Sequence, residues 1–223
     1  MRIHDLILPA ASLAAAQHFY AETLGLPATH DANAGLIVQV GHSRLIFRET
    51  AGGGRFHFAF NIPHNQIEAG AAWVQQHAPL IENENGERFN HFRSWDAHAV
   101  YFFDALGNVV ELIARHTLDN AQDAPFSAAS LLSISEIGLA SDDVIADAST
   151  YRDRLGAAFY LDAATDTFTA VGDPHGLLIV VSTAREWYPF TGVPAHDLPL
   201  DVVAERADGV RIGLFSGSME RGA

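Results

Sequence analysis

Residues 101–115, YFFDALGNVVELIAR, decide the fold. They read as two strands joined by the tight turn Asp104-Ala105-Leu106-Gly107-Asn108, with one carboxylate, Glu111, set inside an otherwise apolar second strand. Successive strand side chains point to opposite faces, so Val109, Glu111 and Ile113 share one face while Val110, Leu112 and Ala114 share the other. Glu111 therefore faces inward or onto a cavity. A lone carboxylate there is costly unless it is paired, protonated or bound to a metal.

Working outward from this hairpin, the same plan recurs. Residues 3–8 read as a strand stopped by Pro9, Ser12 caps a helix over 13–24 that ends at Gly25, and short strands follow at 36–40 and 44–48 around the turn Gly41-His42-Ser43. The stretch 28–31 adds a further strand if it is extended. After Gly52-Gly53-Gly54 the pattern restarts: a strand over 56–62, an amphipathic helix over 67–77, a strand over 88–92 and then the opening hairpin. A third copy is fixed by register. Asp5, Tyr20, Leu24-Gly25 and Val40-Gly41 match Glu136, Tyr151, Leu155-Gly156 and Val171-Gly172 at one constant offset. A strand at 177–181 continues this copy. A fourth begins with a strand at 198–203 and is too short to be complete. The sequence thus predicts two halves, a complete two-module domain over 1–118 and a third module with a fragmentary fourth over 128–223.

Composition narrows the function classes. The chain has 223 residues, 48% of them hydrophobic, enough for a sizeable core. Its 27 acidic against 13 basic residues give a formal charge of -14, which disfavours nucleic acid and anionic membranes as partners. There is no cysteine, so any metal must be held by His, Asp or Glu. No apolar run reaches the roughly 18 residues of a membrane span, and the amino terminus lacks a basic region followed by a long apolar one, so the expectation is a cytoplasmic protein.

FYAETLGL after the first strand, FHFAFNI opening the second module and the DxxGNxxE form of the hairpin resemble the vicinal oxygen chelate superfamily. It includes glyoxalase I, the bleomycin and fosfomycin resistance proteins and the extradiol dioxygenases. The context FRSWDAHAVYFFD is most similar to a bacterial group within it. The resemblance implies an α+β fold of paired βαβββ modules whose curled mixed sheets surround a cup-shaped cavity, as one complete pair and one truncated pair. It also implies a divalent metal (Fe, Mn, Zn or Ni) on the cavity floor, held by Asp5, His57 and Glu111. Asp5 departs from the His usual at that position, and so from the two-His, one-carboxylate set of ring-cleaving iron sites.

The residues also admit plainer roles. Glu111 could pair with Arg44 or Arg48, His57 could be a core histidine, and Asp5 an exposed strand-edge charge. His91, Arg93 and Trp95 alternate on one face if their segment is a strand, and with Tyr101 they would form a pocket wall in which His91 or Tyr101 acts as acid or base. Asn61 and Arg48 complete the expected substrate pocket. Trp95 and Tyr101 could equally be core aromatics. Glu136 stands where Asp5 does, but without a closing Glu-bearing strand the third module is expected to be structural, covering the first pair or forming a homodimer interface. The expected function is a metal-dependent lyase, isomerase or dioxygenase acting on a small molecule that chelates the metal through adjacent oxygens. The alternative is a metal-free binding or resistance protein.

Overall fold

Asp104 builds the turn of the opening hairpin. In the computed structural model, which describes residues 1–161 and 164–216, its Oδ1 accepts from the backbone N–H of Leu106 (2.9 Å) and Asn108 (2.8 Å). Its Oδ2 accepts from the Asn108 side chain (2.7 Å) and from the Tyr20 hydroxyl (2.6 Å). Gly107 takes φ 81°, a left-handed conformation that a side chain would oppose. This turn joins two strands whose pairing sets Tyr101 opposite Glu111.

The first module comprises β1 (Arg2–Ala10), α1 (Leu13–Gln17), β2 (Ala28–Asp31), β3 (Gly35–Val40) and β4 (Ser43–Glu49). The helix expected over 13–24 is present, capped by Ser12, but its second half, His18–Thr23, widens to a π-helical turn. The second module follows as β5 (His57–Ile62), α2 (Ile67–Val74), β6 (Asn90–Phe92), β7 (Ala97–Phe103) and β8 (Val109–Arg115). The third has β9 (Ser133–Ser141), α3 (Val144–Leu155), β10 (Phe168–Asp173) and β11 (Gly176–Ser182), and the fragmentary fourth is β12 (Leu200–Glu205) with β13 (Arg211–Ser216). The constant offset is real in three dimensions: Gly25 and Gly156 both end their helices with positive φ, at 75° and 59°.

These strands form two curled mixed sheets, ordered β13-β12-β1-β4-β3-β2 and β10-β11-β9-β5-β8-β7-β6. The expected α+β architecture of βαβββ modules, one complete pair and one truncated pair, is present. The partners are not consecutive in the way the sequence suggested. The second module pairs with the third, through antiparallel β5 and β9, and the first pairs with the fragmentary fourth, through antiparallel β1 and β12. Both sheets therefore draw strands from both sides of residue 118, where the sequence placed a boundary. Residues 217–223 of the expected second half lie outside the described residues.

Alternation divides the second sheet as its pattern requires. Phe58, Phe60, Val110 and Leu112 lie in the main core, on the face the helices cover. Ala59, Tyr101, Val109 and Ile113 join a second apolar cluster on the concave face, together with Ile179, Val181 and Trp187. No helix among the described residues is long and apolar enough to cross a membrane.

Candidate metal centre

One cross-strand row places the polar groups of the concave face. Tyr101 on β7 is opposite Glu111 on β8, Glu111 is opposite Ala59 on β5, and Ala59 is opposite Glu136 on β9. Ala59 is fully buried and small, so the carboxylates on either side of it converge above a methyl group. His57, two residues earlier on β5, adds an imidazole to the same face. The ligand atoms of His57, Glu111 and Glu136 all lie within 4.8 Å of one another. His57 Nε2 is 3.5 Å from Glu111 Oε2.

A bulge aims the third group. The β5–β9 register shifts between Ala59 and Phe60, whose partners are Glu136 and Ile134, leaving Ser135 as an extra residue. Ile134 and Ile137 both stay in the helix-covered core. Ser135 and Glu136 are freed to meet Arg115, which shares the face of Glu111. The Arg115 guanidinium is fully buried, ion-pairs with Glu136, and donates to Ser135 Oγ at 3.3 Å. It also stands over the rings of Trp95 (5.5 Å) and Tyr160 (5.9 Å).

The electrostatics follow from burial. The His57 pKa is lowered to about 4, chiefly by desolvation of the imidazolium. Its Nδ1 is 3.1 Å from the Val109 carbonyl, which fixes the proton there and leaves the Nε2 lone pair directed at Glu111. Burial pushes Glu111 well above the ordinary carboxylate range, and the neighbouring Glu136 pushes it further. Glu136 is raised by burial too, with Arg115 opposing the rise. Tyr101 is hydrogen-bonded to Glu111 and is held protonated by burial and by the nearby carboxylates. The donor set fits a divalent cation: a neutral imidazole with its lone pair free, and two carboxylates whose mutual repulsion a cation would relieve.

The three groups line a cavity of about 250 Å³ with Tyr101, Trp95, Phe92, Phe168, Trp187 and Tyr188 among its walls. Of the residues singled out in the sequence, His57, Glu111, Tyr101 and Trp95 meet here. The others do not. Asp5 lies on the other sheet, where both its oxygens are held by Arg44 at 2.6 Å, and its partner on β12 is Val203, which offers no ligand. The structure does not bring Asp5 to His57 and Glu111, because β5 pairs with β9 rather than with β1. Glu136, its counterpart one repeat later, lies beside them instead.

His91 is exposed on the convex face, stacked on His98 at 4.2 Å. Arg93 is exposed as well, because the strand stops at Phe92 and Arg93–Trp95 turn as a 3-10 helix, which ends the assumed alternation. Arg48 pairs with Asp201 at 3.1 Å on the first sheet. Asn61 is buried at the far end of β5, donating to the Pro174 carbonyl at 3.2 Å. Arg115, Arg185 and Trp187 were not singled out. Arg115 could have been found from its shared phase with Glu111, whereas the other two come from a segment without strand periodicity.

Neither a family model nor a curated protein sequence matches the chain. Solved structures do. A candidate dioxygenase from Bacillus subtilis superposes with TM-score 0.58 at 15% identity, over 81% of this chain and 63% of that one. Glyoxalase I from Zea mays superposes with TM-score 0.55 at 14% identity, over 84% of this chain and 70% of that one. A point variant of the maize enzyme gives 0.56 at 12% identity, over 96% and 92% of the two chains.

The chain has the vicinal oxygen chelate fold. Within that fold its concave second sheet is the cup, and the His57–Glu111–Glu136 cluster stands on the cup's floor. The vicinal oxygen chelate resemblance read from FHFAFNI and the DxxGNxxE hairpin thus extends to the whole architecture. The chain nevertheless spans only 63% of the Bacillus subtilis protein.

Proposed function

We propose that this protein is a metal-dependent enzyme of the glyoxalase or dioxygenase type, acting on a small molecule that presents two adjacent oxygens. The observation that carries the proposal is the convergence of His57, Glu111 and Glu136, all buried, at one end of a cavity with aromatic walls. Three protein donors leave open positions for substrate, as catalytic rather than structural sites do. A bound divalent ion would supply Lewis-acid polarisation of a substrate oxygen.

The chain's own residues do the rest. His57 arrives neutral, so it needs no deprotonation at neutral pH. Arg115 holds one oxygen of Glu136 and so limits its rotation. Tyr101 keeps a proton on its hydroxyl oxygen beside Glu111, where it can donate a hydrogen bond to a bound substrate. Trp187 and Trp95 bring apolar surface that keeps water from the donors and strengthens each polar contact inside.

The test is elemental analysis of protein purified without chelator, followed by reloading of dialysed protein with Mn(II), Fe(II), Zn(II) or Ni(II). Stoichiometric uptake of one of these ions is expected, with loss in His57→Ala, Glu111→Gln and Glu136→Gln. Full uptake by all three variants would sink the assignment.

A further inference from the structure

After β11 the chain folds back over the cavity. The Trp187 N–H donates to the Val193 carbonyl at 2.9 Å, and the Ala195 N–H to the Arg185 carbonyl at 2.9 Å, so the segment is a short hairpin. Arg185 and Trp187, two residues apart, both line the cavity. Glu186 between them accepts a hydrogen bond from the Gly192 N–H of the hairpin itself.

The two cavity residues are polar groups without a protein partner of matching strength. Arg185 is half-buried, 5.9 Å from the Phe168 ring, and its guanidinium donates from Nε to the neighbouring Glu186 carbonyl at 3.4 Å. Among the described residues no carboxylate stands within ion-pair distance of it, and its pKa is lowered by burial with no carboxylate offsetting the cost. Arg115, deeper in the same half, has Glu136 as its counterion. The Trp187 indole Nε1 is buried and has no hydrogen-bond partner. Buried polar groups in native structures are nearly always satisfied, so the unpartnered indole N–H, with a guanidinium lacking a counterion beside it in the same cavity wall, indicates a ligand that accepts from them.

Charge leads to the same chemistry. With both carboxylates ionised, Arg115 neutralises one of them. A divalent cation neutralises the other and leaves one positive charge over, and Arg185 adds a second. A cavity with mostly apolar walls would hold that excess only against an anionic occupant.

We propose that the cavity binds a small, flat molecule bearing a carboxylate at the end away from its paired oxygens, and that the Arg185 guanidinium holds this carboxylate. The placing of the other end rests on the metal-site reading above; the anion at Arg185 does not. A planar fork of N–H donors matches a carboxylate bidentately. A cavity of about 250 Å³ is below the roughly 300–1,000 Å³ of sites for larger ligands, which limits the body to about one ring. A phosphate would bring a second charge against the aromatic walls, so the carboxylate is favoured.

The experiment is calorimetric titration of the full chain with 3,4-dihydroxybenzoate and with its primary amide, which has nearly the same shape and no charge. Wild type, Arg185→Met and Arg185→Lys are each titrated metal-loaded and metal-free, and metal content is measured on the same samples. Wild type should bind the acid at least about tenfold tighter than the amide. Arg185→Met should lose that preference with metal content and amide affinity unchanged, and Arg185→Lys should keep part of it.

Equal affinity for acid and amide, no binding of the acid by wild type, or an undiminished preference in Arg185→Met would each overturn the proposal. So would phenyl phosphate displacing the acid more strongly than benzoate does. Absence of metal with the acid preference intact would instead overturn the metal reading alone.

Discussion

At the scale of single residues, parity in two strands was enough to put His57 and Glu111 on one face, since both strands are regular and fully buried. Asp5 was misplaced for a reason that parity cannot reach, because the choice between β1 and β9 as neighbour of β5 is a long-range one. Two substitutions separate the readings. Asp5→Ala should leave metal uptake unchanged and cost about 1 kcal/mol or less, because its partner Arg44 is 47% exposed. Glu136→Gln should lower metal affinity by more than the roughly 10–100-fold that losing an outer-shell partner costs. Equilibrium dialysis with the metal identified by elemental analysis measures both.

Protons give a further residue-scale expectation. His57 is already neutral at pH 7, because its pKa of about 4 lies below the ordinary 6.5. It should therefore release no proton when a cation binds. Burial raises Glu111 and Glu136 in the cation-free protein, so a cation competes with protons for these carboxylates. Affinity should rise with pH above the ordinary carboxylate range, as calorimetric titration over a pH series would measure. Stability of the cation-free protein follows the same signs. The raised carboxylates stabilise the fold below their unfolded value near 4.5, and that contribution is lost as pH rises through the folded values. The lowered His57 contributes above its unfolded value of 6.5 and is lost as pH falls from there towards 4. Metal affinity that does not change with pH would show that the carboxylates are not the ligands.

At the scale of elements, most strands and helices of the first two modules were legible to within a few residues from period-two or helical apolar patterning, whereas β10 and β13 were not singled out. What was not legible was the stretch 88–95: within β6 Phe92 faces the cavity, so His91 turns to the other face beside His98, and Arg93 leaves the cavity because a 3-10 turn follows Phe92. Two contacts between elements can be tested. A Cβ on Gly138 of β9 would lie 2.6 Å from a Trp187 ring carbon and 3.3 Å from His57 Cβ. Gly138→Ala should thus displace the indole, cost about 1–3 kcal/mol by overpacking and shift the tryptophan emission. The Tyr20 hydroxyl links the first module's helical segment to the Asp104 turn, at 2.6 Å and fully buried. Tyr20→Phe leaves the raised Asp104 carboxyl short of a donor, and urea denaturation should show a loss of about 1–3 kcal/mol.

At the scale of the whole molecule, the repeat told how many modules there are but not which ones pair. All the first strands carry similar apolar alternation, and pairing is decided by long-range packing between β5 and β9 and between β1 and β12. The consequence is that neither side of residue 118 owns a complete sheet or the whole His57–Glu111–Glu136 cluster. Residues 1–127 hold His57 and Glu111 but lack Glu136 and leave the β5 and β1 edges unpaired. Residues 128–223 hold Glu136 without the other two. Free strand edges of this kind are prone to associate. Each piece expressed alone should therefore aggregate and take up no metal, whereas the two expressed together should copurify and recover the uptake of the intact chain. The exposed stretch joining β8 to β9 makes a cut there mild, because the ladders it connects need no covalent link to form. Elemental analysis of the copurified pair against residues 1–127 alone decides the matter. Stoichiometric metal on 1–127 alone would return the site to the first two modules and refute the β5–β9 pairing as its basis.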